Sequence, residues 1–189
     1  MGKKALTFLA EGFEEVEAVT PIDYLRRAGV EVTVAAIGAE KIVRGARGIS
    51  LAADTTLAAL EQGGLLNAAS WDGVFVPGGM PGATNLAACS AVGNFYKEMA
   101  AAGKIAAAIC ASPAVFLAPL GLLEGKKFTC YPGMEKTVKG GSWTDKRVVI
   151  DGNIITSRGA GTAGEFATAI IGQLLGETEA ERIAQAVLL

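Results

Sequence analysis

The chain has 189 residues, of which 51% are hydrophobic and 19% are charged, and its formal net charge is −2. This length suits one domain over residues 1–189 with a full hydrophobic core, and the nearly balanced charge argues against a nucleic-acid surface or a polybasic membrane patch. The sequence contains no histidine, which excludes a Cys-His pair, a Ser-His-Asp triad and a histidine-ligated metal.

Short apolar segments alternate with helical segments along the chain, which predicts an α/β fold with a mostly parallel sheet and helices on both faces. In the first half we expect a strand at 4–10, a helix at 15–28, a strand at 30–37, a hairpin or a pair of short strands at 42–53 and a short strand at 73–76. Acidic residues directly follow the first apolar segment, so it is interpreted as a buried strand and not as a signal peptide.

The second half predicts a helix at 90–102, a strand at 104–109, a helix after Cys110, a strand at 127–131, a hairpin of 147–150 with 154–157, and a helix at 164–175 with a helical tail. The apolar stretch 105–123 is long enough to span a bilayer. Because Pro113 and Pro119 interrupt it, we interpret it as a strand, a sharp turn and a buried helix. No membrane segment is expected.

The three cysteines are Cys89, Cys110 and Cys130. Their number is odd, their spacing does not match a metal site, and no export signal precedes them, so we expect free thiols in a reducing, cytoplasmic compartment. Cys89 lies among alanines and Cys130 lies in an apolar segment. Both fit the usual role of a free cysteine as a small buried hydrophobic residue.

Cys110 differs from the other cysteines because it follows an apolar strand and precedes Pro113, which is tolerated early in a helix. Ala108 and Ala111 are small, as a tight strand-to-helix turn requires, so the segment is similar to a nucleophile elbow with cysteine in place of serine. Such a turn places the side chain above the carboxyl ends of the strands, and a helix N-terminus there favours the thiolate. A buried structural cysteine is the alternative.

Acidic residues open the first predicted helix. Glu14 and Glu15 are expected on a solvated face, where they complement the helix dipole. Glu17 has apolar neighbours such as Val16 and is expected to point toward the end of the sheet. A carboxyl beside a thiolate keeps its proton, so Glu17 is predicted to donate a hydrogen bond to Cys110 and to exchange protons with a substrate.

Two glycine-rich turns follow predicted strands. Pro77-Gly78-Gly79-Met80-Pro81-Gly82 is typical of a backbone nest, and the Gly79 N–H is a candidate oxyanion donor facing Cys110; an ordinary glycine turn is the alternative. Residues 159–164 match G-x-G-x-x-G, but the chain ends one helix later, without the further strand that a dinucleotide site needs. We therefore reject a nicotinamide cofactor and expect a close-packed turn at the end of the sheet.

Five segments in their order and spacing carry a family resemblance: 10–17, 26–29, 77–79, 107–111 and 156–159. The chain resembles the ThiJ/PfpI superfamily, in the branch of the parkinsonism-associated protein deglycase and bacterial YajL-like proteins. The resemblance implies a flavodoxin-like three-layer sandwich with a mostly parallel central sheet and a cysteine nucleophile elbow, and a homodimer packed partly through the first helix.

The resemblance also implies roles for individual residues. Cys110 is expected to be the nucleophile and the oxidation-sensitive residue, Glu17 its acid/base partner, and Gly78, Gly79 and Ala111 the oxyanion or substrate-binding positions. One departure is Tyr131, which occupies a position where relatives often have histidine. Proteolytic and amidotransferase activities that need a Cys-His pair are therefore not transferred to this chain.

The leading hypothesis is a cofactor-independent enzyme of the glyoxalase III or protein deglycase type, with no metal. It would act on a small carbonyl substrate such as a 2-oxoaldehyde, or on a glycated protein. The first alternative is a redox-responsive sensor or chaperone that uses oxidation of Cys110. A binding protein with a vestigial site is the third interpretation.

Overall fold

The computed structural model describes residues 2–189, which form strands and helices in alternation. The strands are β1 (Lys4–Leu9), β2 (Glu31–Ala36), β3 (Ile42–Arg44), β4 (Ser50–Ala52), β5 (Thr55–Thr56), β6 (Gly73–Val76), β7 (Ile105–Ile109), β8 (Lys127–Phe128), β9 (Ser142–Trp143), β10 (Val148–Asp151) and β11 (Ile154–Ser157). The α-helices are α1 (Glu15–Arg27), α2 (Leu57–Gln62), α3 (Gly82–Ala88), α4 (Ser90–Ala101), α5 (Ala163–Leu175) and α6 (Glu177–Ala186).

The central sheet has seven strands in the order β10-β11-β7-β6-β1-β2-β5. All neighbouring strands are parallel except β10, which pairs antiparallel with β11. Strands β3 and β4 form a separate two-stranded sheet, and β8 and β9 form another. The predicted α/β fold with a mostly parallel sheet is therefore confirmed.

Hydrophobic clusters cover both faces of the sheet, which explains why the central strands are apolar without alternation. One cluster contains buried residues of α1, α5 and α6, and the other contains buried residues of α2, α3 and α4. Strand β7 contributes to both clusters: Ala107 and Ile109 pack on the first face, and Ala106 and Ala108 on the second. Helices therefore form a layer on each side of the sheet.

Two of the predicted elements are wrong in extent. The strand expected at 127–131 ends at Phe128. The Thr129 N–H donates to a side-chain oxygen, Thr156 Oγ1 (3.0 Å), and not to the backbone of a neighbouring strand. The helix expected after Cys110 is a single five-residue π-helical turn, Pro113–Leu117, followed by further turns. The short elements α2, α3, β5 and β9 were not predicted, and the hairpin of 42–53 is confirmed as β3–β4.

Candidate active site

Cys110 lies at a strained turn directly after β7, at the edge where β1 and β6 also end. Its φ of 65° lies in the left-handed region, which is uncommon for a residue other than glycine. Both backbone polar groups are bonded, since the Cys110 N–H donates to Ser157 O (2.9 Å) and the Cys110 carbonyl accepts from the Tyr131 N–H (2.8 Å). The buried Ser112 hydroxyl donates to Pro77 O (2.6 Å). These bonds hold the turn in its elbow conformation.

Glu17, in the first turn of α1, is the side chain that meets the cysteine. Its carboxyl group is 1% exposed, accepts a hydrogen bond from the Gly78 N–H (2.8 Å) and lies within hydrogen-bonding reach of Cys110. Burial raises the pKa of Glu17 from 4.5 to about 7, against the opposing effect of the bonds to Cys110 and Gly78. The nearby charge of Glu14, which caps α1, adds to the increase.

The Cys110 thiol is also shifted. Burial raises its pKa first, and the charge and hydrogen bond of Glu17 raise it further, while the N–H groups of Gly79 and Ala111 lower it. The expected helix N-terminus is replaced by the short π-helical turn, so the favourable donors are these two N–H groups and not a long helix dipole. The contribution of the Glu17 charge exists only while that carboxyl is ionised. The pair therefore disfavours two negative charges at once.

Gly78 and Gly79 shape the space around the pair in different ways. A Cβ added at Gly78 would lie 2.7 Å from Cys110 Cβ and 3.0 Å from Glu17 Oε2. The Gly78 N–H is already bonded to Glu17, so this residue holds the carboxyl in place and is not a free oxyanion donor, which departs from the role expected for it. Gly79 has φ of 85°, and a Cβ there would lie 2.4 Å from the Glu14 nitrogen.

A cavity of about 510 Å³ opens above the pair. Cys110 is 9% exposed and lines this cavity, so its sulfur is not sealed in the interior. The lining residues with polar or charged side chains are Glu14, Glu17, Arg47, Cys110 and Tyr131, and the others are Ala46, Gly79, Met80, Ala111, Pro132, Met134 and Ala160. Ala160 belongs to the glycine-rich turn 159–164, which is thus a wall of the cysteine site.

Glu15 lies near the site, and its predicted solvated environment is wrong. The side chain is only 5% exposed, not solvated, and its Oε1 accepts from the N–H groups of Arg47 (2.7 Å) and Ile49 (3.3 Å). A Cβ at Gly45 would lie 2.4 Å from the Glu15 carboxyl carbon, so the loop between β3 and β4 can approach α1 only with glycine there. The glycines of this hairpin were the available signal. Glu15 positions the loop that carries Ala46 and Arg47 into the cavity wall.

Two further results concern metals and membranes. Across residues 2–189, no three or more side chains from His, Cys, Asp and Glu cluster in a way that could hold a metal ion. In the same part of the chain, no helix combines the length and the apolar character needed to cross a bilayer. The cysteines are free, with Cys89 partly exposed and Cys130 fully buried.

Comparison with known proteins gives relatives that match nearly the whole chain. "Protein dj-1beta" of Drosophila melanogaster is 40% identical over 190 residues, covering 100% of this chain and 98% of that protein. "Glutathione-independent glyoxalase DJR-1.2" of Caenorhabditis elegans is 36% identical over 177 residues, covering 92% and 90%. "Protein DJ-1 homolog B" of Arabidopsis thaliana is 41% identical over 182 residues; these are 96% of this chain but only 40% of that longer protein.

The same family is found among solved structures and family models. The structure described as "Toxoplasma gondii DJ-1, oxidized" superposes with a TM-score of 0.92 at 40% identity, covering 99% of this chain and 98% of that one. The model of the DJ-1/PfpI family matches residues 3–173. The pairing of Cys110 with Glu17 at the end of the sheet is consistent with these matches. The chain belongs to the DJ-1/PfpI family.

Proposed function

We propose that the protein is a cysteine-dependent enzyme that converts 2-oxoaldehydes such as methylglyoxal into 2-hydroxy acids. The observation that carries the proposal is the meeting of Cys110 and Glu17 on the floor of an open cavity, with the N–H groups of Gly79 and Ala111 directed at the sulfur. The Caenorhabditis elegans relative is named as a glutathione-independent glyoxalase, which supports the same reaction class.

The chemistry needs no external oxidant or reductant. The Cys110 thiolate adds to the aldehyde carbon, and the aldehyde oxygen takes the proton of Glu17, giving a hemithioacetal and an ionised Glu17. Glu17 removes the proton from that carbon and returns it to the neighbouring carbon through an enediol, so that one carbon is oxidised and the other reduced. Water then hydrolyses the resulting thioester, which releases the 2-hydroxy acid and restores the thiol.

The backbone around Cys110 suits this sequence of steps. The Gly79 and Ala111 N–H groups are positioned to stabilise negative charge on the thiolate, and they support the proposal that these two groups also bind the oxyanion formed on the substrate. Gly78 acts indirectly in this scheme. Its N–H donates to the Glu17 carboxyl and holds in place the group that moves the proton.

We place the single negative charge of the resting pair on sulfur. Burial raises the pKa of Glu17 to about 7 and also raises the pKa of the Cys110 thiol, so the two shifts oppose each other within the pair. We assign the shared proton to the carboxyl because the sulfur then accepts from that carboxyl and from the Gly79 and Ala111 N–H groups together. Glu17→Leu removes this donor, so the midpoint of the pH dependence of Cys110 alkylation should move up by about one pH unit. A downward shift would place the charge on the carboxylate.

The test of the function is a kinetic assay with methylglyoxal and detection of lactate. Cys110→Ala should abolish turnover, and Glu17→Gln should lower kcat at least about a hundredfold, since the proton transfer loses its base. Cys89→Ala is the matched control and should retain turnover. If Cys110→Ala or Glu17→Gln keeps wild-type turnover, the mechanism is wrong.

The finer proposal is that the site also accepts methylglyoxal adducts on proteins. The cavity is open, and Met80 and Tyr131 beside it are about half exposed, 54% and 52%. A side chain of another protein that carries the adduct can therefore reach Cys110 from solvent. A peptide with a methylglyoxal-derived hemithioacetal on cysteine should release lactate with wild-type protein and not with Cys110→Ala.

A second candidate is a redox-responsive role, which the same donors support. A Cys110 thiolate oxidised by peroxide passes through the sulfenic acid to the sulfinate, each step transferring one oxygen and releasing water or hydroxide. Protonated Glu17 and the Gly79 and Ala111 N–H groups are placed to hold the sulfinate oxygens. Selective addition of two oxygens to Cys110, together with negligible turnover of methylglyoxal, would favour this role over the enzyme.

We also propose a cytoplasmic homodimer. Helix α1 exposes Val16 (48%) and Val19 (44%), and the neighbouring hairpin loop exposes Ile49 (61%). These side chains form an apolar surface that a second copy of the chain would cover. Sedimentation should give a dimer for the wild-type protein and a monomer for Val16→Lys; a wild-type monomer at high concentration overturns the proposal.

A further inference from the structure

The cavity above Cys110 is far larger than methylglyoxal requires. Its volume of about 510 Å³ falls within the range of about 300–1,000 Å³ typical of pockets for ligands of drug size. Methylglyoxal carries only a methyl group beyond its two carbonyls. Once its aldehyde carbon is attached to the sulfur, most of the cavity remains unfilled by the substrate.

The cavity is lined by two kinds of residue, those of the reacting pair and apolar side chains. The reacting end holds Cys110, Glu17 and the Gly79 backbone, where the carbonyl carbons must lie. The lining also contains Met80, Tyr131, Pro132 and Met134, which supply thioether, ring and methylene surface, while Glu14 and Arg47 are its remaining charged residues. Flexible thioethers and an aromatic ring form favourable contacts with apolar groups of varied shape.

Small side chains leave this apolar part open. Ala46 and Ala160 lie in the cavity wall, on the loop held by Glu15 and on the turn that follows β11, and neither reaches far from its backbone. The Arg47 side chain, also in the wall, is exposed to solvent, as is Ala160. A substituent of one ring or a branched alkyl chain therefore has both space and apolar contacts.

We propose, resting on the function proposed above, that the preferred substrates are 2-oxoaldehydes with an apolar substituent the size of a branched alkyl chain or an aromatic ring. Their substituent lies against Met80, Tyr131 and Met134. Burial of such a group in an apolar pocket strengthens binding by about tenfold or more for each few methylenes. The kcat/KM for phenylglyoxal should exceed that for methylglyoxal by at least about tenfold.

The experiment compares initial rates with phenylglyoxal and methylglyoxal in wild-type protein, Ala160→Leu and the matched control Ala101→Leu. Leucine at Ala160 fills part of the cavity, so the ratio of kcat/KM for phenylglyoxal to methylglyoxal should fall at least about tenfold. Ala101 is exposed at the end of α4 and does not line the cavity, so Ala101→Leu should keep the wild-type ratio. A wild-type ratio of one or less, with methylglyoxal turned over, overturns the substrate preference and leaves the proposed reaction standing.

A binding measurement keeps the proposal testable if neither aldehyde is turned over. Mandelate and lactate are the hydroxy acids formed from the two aldehydes. Mandelate should protect Cys110 from iodoacetamide at a concentration at least about tenfold lower than lactate, and Ala160→Leu should remove this difference. Equal protection by both acids contradicts an apolar substituent site, whether or not the protein is an enzyme.

Discussion

Two cysteines lie near each other in the structure but occupy different environments. Cys110 stands at the turn after β7, and Cys130 lies in the segment after β8, next to the Tyr131 N–H that donates to the Cys110 carbonyl. Both thiols are buried, and burial raises the pKa of each, to about 11 for Cys130. Burial alone therefore does not distinguish a candidate nucleophile from a structural cysteine.

The two environments differ in access and in hydrogen-bond donors. Cys130 is 0% exposed among the side chains of one core cluster, and besides burial only the charges of Glu135 and Arg158 affect its pKa, in opposite directions. Cys110 opens onto a cavity, faces two backbone N–H groups and has a carboxyl partner. Reactivity at a buried sulfur depends on what surrounds it on the side that a substrate can reach.

The largest effect expected from this difference is in thiol reactivity. In a Cys89→Ser background, iodoacetamide should modify Cys110 on the order of a hundred times faster than Cys130, because only Cys110 combines access with donors for the thiolate. Peptide mapping after timed alkylation measures both rates in one sample. Equal rates would remove the distinction between the two environments.

The next effect comes from the space between the sulfur and the carboxyl. Gly78→Ala introduces a Cβ 2.7 Å from Cys110 Cβ, which forces the pair apart, so methylglyoxal turnover should fall on the order of a hundredfold. Overpacking of this kind also costs about 1–3 kcal/mol of folding free energy. Gly161→Ala, where a Cβ has no heavy atom within 4 Å, is the control and should change both quantities little.

The fold and the main pair followed from local sequence signals, whereas other features depended on contacts between distant segments. The apolar run of β7 with the Cys110 turn predicted the elbow, and the first turn of α1 indicated Glu17. Nothing near Glu15 in sequence shows that residues 47 and 49 donate to it, since that contact joins segments more than thirty residues apart. The strand at 127–131 was overestimated for the same reason, because Thr156 captures the Thr129 N–H.

A smaller effect is expected in the pH dependence of stability. Folding raises the pKa of Glu17 from 4.5 to about 7, so its protonated form stabilises the folded state fully below pH 4.5, and this contribution is lost as the pH rises through about 7. Relative to Glu17→Gln, the wild-type protein should lose about 3 kcal/mol of unfolding free energy over that window. Urea titrations at several pH values measure it, and the exposed Glu61→Gln is the control. If the difference in unfolding free energy between the two proteins does not change with pH, folding does not raise the pKa of Glu17.

The smallest predicted effect concerns the cavity wall on the side of α1, where Glu15 acts on the substrate only through the loop. Glu15→Gln keeps the shape of the side chain but weakens the charge-assisted bonds to the N–H groups of Arg47 and Ile49. The loop should then hold Ala46 and Arg47 less firmly, which raises KM for the aldehyde several-fold and leaves kcat near the wild-type value, since Cys110 and Glu17 are untouched.

This split between KM and kcat separates a positioning role from a general loss of folded protein, which lowers the apparent kcat and leaves KM unchanged. Glu11→Gln is the matched control, because the Glu11 carboxylate accepts only from the Arg44 N–H of the same hairpin (3.2 Å) and Glu11 lies outside the lining of the cavity. A fall in kcat for Glu15→Gln at constant KM, with kcat expressed per folded molecule as measured by circular dichroism, contradicts the positioning role and shows that the buried carboxylate supports Cys110 and Glu17 themselves.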